Sequence, residues 1–199
     1  MNDRFFQNQS HFSNCSLIII DHVEVAETLQ DIGKCKCEVG DFGSAIEYFE
    51  PALMVRNINV DSNNKSSELL LAHLYSDMGY AYWKLENTDG ALEYYNLALE
   101  LQEKLNVLAE RASTLCSIGD IHFELMSYEK AESSYQKSLA TRLEEQGKNH
   151  VDVAEVHHKL GVVYWKVGDT SAAMESFAEA LRVKKMRLGA HHVSGEFLS

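Results

Sequence analysis

The chain has 199 residues, of which 45% are hydrophobic, so it is long enough to bury a core as one domain or as a short array of repeats. Its formal net charge of -12 argues against a nucleic-acid or anionic-membrane surface, because phosphate groups repel a negatively charged protein. Four cysteines do not make a disulfide framework here, and the apolar run Leu17–Ile20 is far too short to span a membrane. We therefore expect a cytoplasmic protein that binds neither nucleic acid nor a membrane.

Four glycines mark an internal repeat. Around each of Gly33, Gly79, Gly119 and Gly161, the same residue types recur at fixed distances along the chain. An alanine lies seven residues before the glycine and a second alanine twelve after it, followed by an aromatic residue at sixteen, a small residue at nineteen and a leucine at twenty. Small residues on two paired helices let their backbones approach closely, and the aromatic ring fills the space beside them. In the first unit these positions hold Ala26, Ala45, Phe49, Ala52 and Leu53.

In chain order, the predicted elements are an irregular segment over 1–20, four helix–turn–helix units, and the start of an incomplete fifth unit over 190–199. The four units cover about 21–56, 66–104, 107–146 and 149–189. An Asn- and Ser-rich stretch over 57–67 predicts an exposed loop after the first unit.

Two residues make the first unit irregular. In the first helix of each unit, the residues four before, one before and three after the glycine form one stripe that we expect to be buried. In the first unit that stripe holds Leu29, Ile32 and Lys36, so a lysine replaces an apolar residue. Pro51 lies inside the second helix, where its missing backbone donor should kink or shorten the helix.

The repeat resembles the tetratricopeptide repeat, and its period of about 42 residues resembles the kinesin-light-chain type. The sequences at 21–26, 149–154 and 188–193 also resemble the His-x-x-Val-Ala junction of that type. The resemblance implies an all-α fold, a right-handed α-α superhelix of four helix–turn–helix repeats, with the first helices lining a concave groove. It further implies a protein or peptide as the partner.

Candidate groove residues lie on the first helices, next to the buried stripe. Trp83, Phe123 and Trp165 occupy the same position in successive repeats, where they are either peptide anchors or packing between repeats. The polar candidates are more costly to bury and therefore favour the groove. The full set is Lys34, His73, Ser76, Tyr80, Trp83, Lys84, Asp120, Phe123, Glu124, His158, Val162, Trp165 and Lys166.

The sequence does not predict an enzyme, a cofactor or a metal site. His22, His150 and His192 recur at repeat junctions, and no two histidines are four residues apart to share a metal on one helix face. Phosphate-binding, nucleophile-elbow and dinucleotide motifs are missing from the sequence. Cys116 lies on a predicted regular helix, with no evident group to orient His122 or His158 toward it.

We expect the second helix of the fourth repeat, about 171–187, to have one incompletely covered face, because the fifth repeat that would pack on it is incomplete. Met174, Phe177 and Leu181 are the residues expected to be exposed there, and they suggest association through this C-terminal end. Two alternatives to a peptide-binding module therefore remain. One is a structural subunit held permanently in a larger assembly, and the other is a fragment of a multidomain signalling or adaptor protein.

Overall fold

The structure is a computed structural model that describes residues 23–59 and 64–195. Within those ranges every regular element is an α-helix, which confirms the all-α prediction. The helices are α1 (Val23–Glu38), α2 (Phe42–Asn59), α3 (Lys65–Lys84), α4 (Thr88–Leu105), α5 (Leu108–Glu124), α6 (Tyr128–Gln146), α7 (Val151–Val167) and α8 (Thr170–Gly195). Among the described helices, none combines the length and the apolar composition that a membrane-spanning segment requires.

The chain divides after Glu86 into two compact units. In the first unit, α2 packs against both α1 and α3. In the second unit, α5 pairs with α6 and α7 pairs with α8, while α4 contacts α5 and α6 contacts α7. Each of these neighbours is the next helix along the chain, as helix–turn–helix repeats require.

The repeated glycines make room for the repeated aromatic rings. A Cβ atom at Gly33 would overlap the ring of Phe49. At Gly119 or Gly161 it would stand only 2.6 Å from Cε1 of Tyr135 or Phe177. Real side chains do not approach this closely, so a methyl group does not fit at these positions. The packing reason expected for glycine inside a helix is therefore confirmed at these three sites.

The first helix of every repeat ends in the same way. Seven residues after each repeat glycine, Gly40, Glu86, Met126 and Gly168 all have positive φ angles, between 55° and 87°. This left-handed residue turns the chain from one helix into the next. Glycine accepts the conformation readily, whereas Glu86 and Met126 adopt it at a steric cost.

Four expectations differ from the structure. The helix α2 continues through Pro51 to Asn59, so the proline does not shorten it. Ile32 is 37% exposed rather than buried, because no described helix covers that face of α1. At the other end, α8 extends to Gly195, beyond the predicted end at about 187, and Phe177 is half-buried against Gly161 rather than exposed. Met174 and Leu181 are 68% and 52% exposed, as expected.

Candidate protein-binding groove

An open pocket of about 160 Å³ lies between α5 and α7 in the second unit. Asp120 and Phe123 of α5 line it together with His158 and Val162 of α7. All four residues belong to the predicted groove set, and they come from two successive repeats. The remaining lining residues, Tyr135 of α6 and Lys159 of α7, were not among the predicted residues.

An ion pair between repeats forms one wall of this pocket. The Lys159 Nζ donates to both carboxylate oxygens of Asp120, at 2.7 and 2.9 Å, and the Tyr135 hydroxyl donates to Oδ1 of the same carboxylate at 2.6 Å. Burial and this hydrogen bond to Asp120 raise the pKa of Tyr135 well above its usual value. Burial lowers the pKa of Lys159, but the hydrogen bond and charge of Asp120 outweigh it and raise the pKa overall. The Lys159 side chain therefore stays protonated at neutral pH, beside the two oxygens of Asp120.

Sequence reasoning did not identify this pair. It assigned Asp120 to the groove and did not include Lys159. The sequence nevertheless contains a usable signal, because a second pair of opposite charges occurs at the same two repeat positions. This pair is Lys34 of the first repeat and Asp77 of the second, which lie 3.8 Å apart in the structure. Both pairs join the residue after one repeat glycine to the residue two before the next glycine, with the charges exchanged.

The other walls of the pocket are apolar. Phe123 is half-buried, its ring centroid 5.6 Å from that of Tyr128, and it packs against the core between α5, α6 and α7. Val162 is half-buried, and His158 is exposed with its ring 5.4 Å from Phe177. The arrangement suits an apolar side chain surrounded by polar groups.

In the compact unit that ends at Glu86, a second group of predicted residues lies at the end of α3. The Tyr80 and Trp83 rings meet edge to face, 6.5 Å between centroids, and Phe42 lies 6.0 Å from Tyr80. The Lys84 Nζ stands 4.5 Å from the Trp83 ring centre and 5.5 Å from that of Tyr80, which are cation–π distances. This small surface is aromatic and positively charged.

The aromatic positions of the repeat have different environments. Trp83 and Phe123 are half-buried, whereas Trp165 is 63% exposed with the Lys166 Nζ 5.3 Å from its ring centre. Phe123 packs between repeats, because its ring contacts the core that includes α7. In the described part of the chain, no following repeat covers Trp165 in the same way.

The remaining predicted residues are spread over the first helices. Lys34 lies 3.6 Å from Asp31 as well as near Asp77, and its side chain is 46% exposed. Burial raises the pKa of Asp77, while hydrogen bonds from Gln30 and Lys34 oppose the shift. His73 and Ser76 are half-buried, and Glu124 is exposed.

The side chains considered for metal binding and nucleophilic chemistry can be assessed in the described residues. Within 23–59 and 64–195, no group of three or more His, Cys, Asp or Glu side chains is close enough to hold a metal ion. Cys116 is 8% exposed, and burial together with the charge of Asp120 raises the pKa of its thiol to about 11. The thiol is therefore protonated at neutral pH and a poor nucleophile.

Two family models described as tetratricopeptide repeat match this chain, one over residues 71–105 and the other over 110–186. Kinesin light chain-related protein 2 of Arabidopsis thaliana is 34% identical over 93 residues, which is 47% of this chain and 14% of that protein. Superkiller complex protein 3 of Mus musculus is 33% identical over 73 residues, which is 37% of this chain and 4% of that protein. The chain thus spans a small part of the relatives it matches.

Solved structures show the same fold. The crystal structure of BtubC (BKLC) from P. vanneervenii superimposes with a TM-score of 0.71 at 24% identity, covering 86% of this chain and 68% of that one. Aspartyl phosphate phosphatase F from Bacillus subtilis gives a TM-score of 0.75 at 15% identity, covering 84% and 42%. At such low identity these likenesses concern the fold alone.

Proposed function

Because this chain belongs to the tetratricopeptide-repeat family, whose members mediate protein–protein interactions, we propose that it binds a segment of a partner protein in the pocket between α5 and α7. One observation carries the proposal: Asp120, Phe123, His158 and Val162, which lie next to the buried stripe on two successive first helices, line one open pocket. The similarity to kinesin light chain-related proteins supports a scaffold or adaptor role.

The pocket chemistry favours an apolar anchor. The Lys159 ammonium already donates to both oxygens of Asp120, so a terminal carboxylate of the ligand would have to compete with that ion pair. Phe123, Val162 and the ring of His158 instead provide contact area for an aliphatic or aromatic side chain. The exposed imidazole of His158 offers a polar group that can hydrogen-bond the backbone of the bound segment.

A peptide-display selection on the purified full chain, followed by calorimetry with the selected peptides, tests the proposal. Val162→Glu places a charge inside the pocket and is expected to weaken binding at least about tenfold, as for loss of a buried anchor contact. Lys137→Glu, on an exposed position of α6, is the control and should bind normally. Circular dichroism of both variants verifies that the helices are retained. Selected peptides that bind the Val162→Glu variant as tightly as the wild type would contradict the proposed site.

The structural-subunit alternative has a separate observation in its favour. Trp165, Met174 and Leu181 are 63%, 68% and 52% exposed at the C-terminal end. Exposed large apolar side chains on neighbouring helices commonly mark an interface with another chain.

A further inference from the structure

We use the name C-terminal face for the surface formed by Trp165 of α7 and by Met174, Leu181 and Lys184 of α8. An equivalent surface elsewhere in the same chain is covered by a helix, and it serves as the template for the comparison. The template is the surface of the third repeat that holds α7. There, Tyr135 and the half-buried Phe123 and Leu139 pack against Val156, Leu160 and Val163 of α7 in one apolar cluster. An ion pair between Arg142 of α6 and Asp152 of α7 flanks this cluster.

The fourth repeat presents equivalent residues at the same distances from its glycine. Trp165 stands at the position of Phe123, and Leu181 at the position of Leu139. Lys184 takes the position of Arg142 and is exposed. The C-terminal face therefore has the apolar and charged groups that bind a first helix of the α7 kind, but in the described part of the chain no helix lies on it.

A helix with the complementary pattern exists at the other end of the chain. The positions that α7 fills with Val156, Leu160 and Val163 hold Thr28, Ile32 and Cys35 in α1. All three of these α1 residues are exposed, whereas the α7 residues are buried. The α1 face is smaller and less apolar than that of α7, so a weaker contact is expected.

The charges at the two ends are complementary. Glu24 of α1 is exposed and stands at the position of Asp152, so it is the counterpart of Lys184 in an Arg142–Asp152 type of pair. Over their described side chains, α1 carries four carboxylates and two lysines, whereas α8 carries two carboxylates and four cations. Opposite charges at two ends favour contact between ends of different copies and oppose contact between like ends.

We infer that copies of this chain associate head to tail, with α1 of one copy on the C-terminal face of another. The contact reproduces the packing of α7 on the third repeat and uses none of the residues that line the pocket between α5 and α7. Because the two surfaces differ, the contact is heterologous, and it extends into chains of copies unless the rotation between copies closes a ring.

Sedimentation equilibrium of the full chain over a concentration series at low salt tests this inference. The mean mass of the wild type is expected to rise with protein concentration past that of a dimer. It should fall again when added salt screens the opposite charges of the two contacting surfaces. Trp165→Glu should weaken association at least about tenfold, as for loss of an aromatic anchor. Lys184→Glu and Glu24→Lys should each weaken it, while an equimolar mixture of the two should associate again because opposite charges then meet. Lys130→Glu, at an exposed position of α6, changes the net charge by the same amount as Lys184→Glu and serves as its control.

Two results would overturn the inference. One is a wild-type protein that stays monomeric at every concentration tested. The other is a protein that stops at a dimer, is disrupted by Trp165→Glu and is insensitive to Glu24→Lys, which would mean that two C-terminal faces meet each other. All these positions are exposed, so the variants should fold, and circular dichroism verifies that they do.

Discussion

Replacing Gly119 by alanine is expected to destabilise this protein by about 3 kcal/mol, although alanine is the better helix former by about 1 kcal/mol. The new Cβ would stand 2.6 Å from Cε1 and 2.7 Å from Cδ1 of Tyr135. Carbon atoms pack at about 3.5–4.0 Å, so the ring must move by roughly 1 Å. Tyr135 is 2% exposed, and its hydroxyl donates to Asp120, which Lys159 also holds.

The magnitude follows from three contributions. Overpacking a well-packed core costs about 1–3 kcal/mol. A displaced ring also weakens its hydrogen bond to a charged carboxylate, a bond worth about 1.5–3 kcal/mol. The helix-propensity gain of about 1 kcal/mol offsets part of this cost. Taken together, these ranges give a net loss of about 1.5–5 kcal/mol, centred on about 3 kcal/mol.

Urea unfolding followed by circular dichroism measures this difference. Gly43→Ala is the matched control, because nothing lies within 4 Å of its added Cβ, and it should be neutral or stabilising by up to about 1 kcal/mol. In a Tyr135→Phe background, Gly119→Ala should cost less, since the hydroxyl bond is already absent. A Gly119→Ala variant as stable as the wild type would show that the ring moves freely, and the packing argument for the repeat would then be wrong.

Two further predictions concern polar groups. Gln30→Ala should destabilise the protein by about 2–3 kcal/mol, because the buried Gln30 side chain accepts a hydrogen bond from Arg56 at 2.8 Å and donates one to Asp77 at 2.6 Å. Gln136→Ala, on the exposed face of α6, is the control in the same urea-unfolding assay, and an equal loss of stability in both variants would contradict the role of Gln30. Burial lowers the pKa of His157 below its ordinary value of 6.5, so as the pH falls the unfolded chain binds a proton at this histidine before the folded protein does. The free energy of unfolding should therefore be highest above pH 6.5 and decrease as the pH falls through that value. Unfolding curves at several pH values should show a smaller acid loss for His157→Gln, and an unchanged pH dependence would exclude this histidine as a cause.

The sequence by itself determined the repeated helix pairs. Gly119 and Tyr135 lie sixteen residues apart and meet where the two helices of one repeat pack together. Their contact depends on the helical period and on the sizes of these two residues, both of which can be read within one repeat. The same periodicity brings Asp120 and Val162 to the lining of one pocket. These features depend on residues within one repeat or on the regular offset between two, so the alignment of four copies was sufficient to find them.

The tertiary structure alone decided which equivalent residues are covered. Ile32 and Leu160 have the same position in their repeats, yet Ile32 is 37% exposed and Leu160 only 3%. Asp120 likewise has its charge engaged by Lys159 from the next repeat, which its own helix does not reveal. Helical periodicity is encoded within about two turns of chain, whereas burial and charge pairing depend on the neighbouring repeat packed against each face.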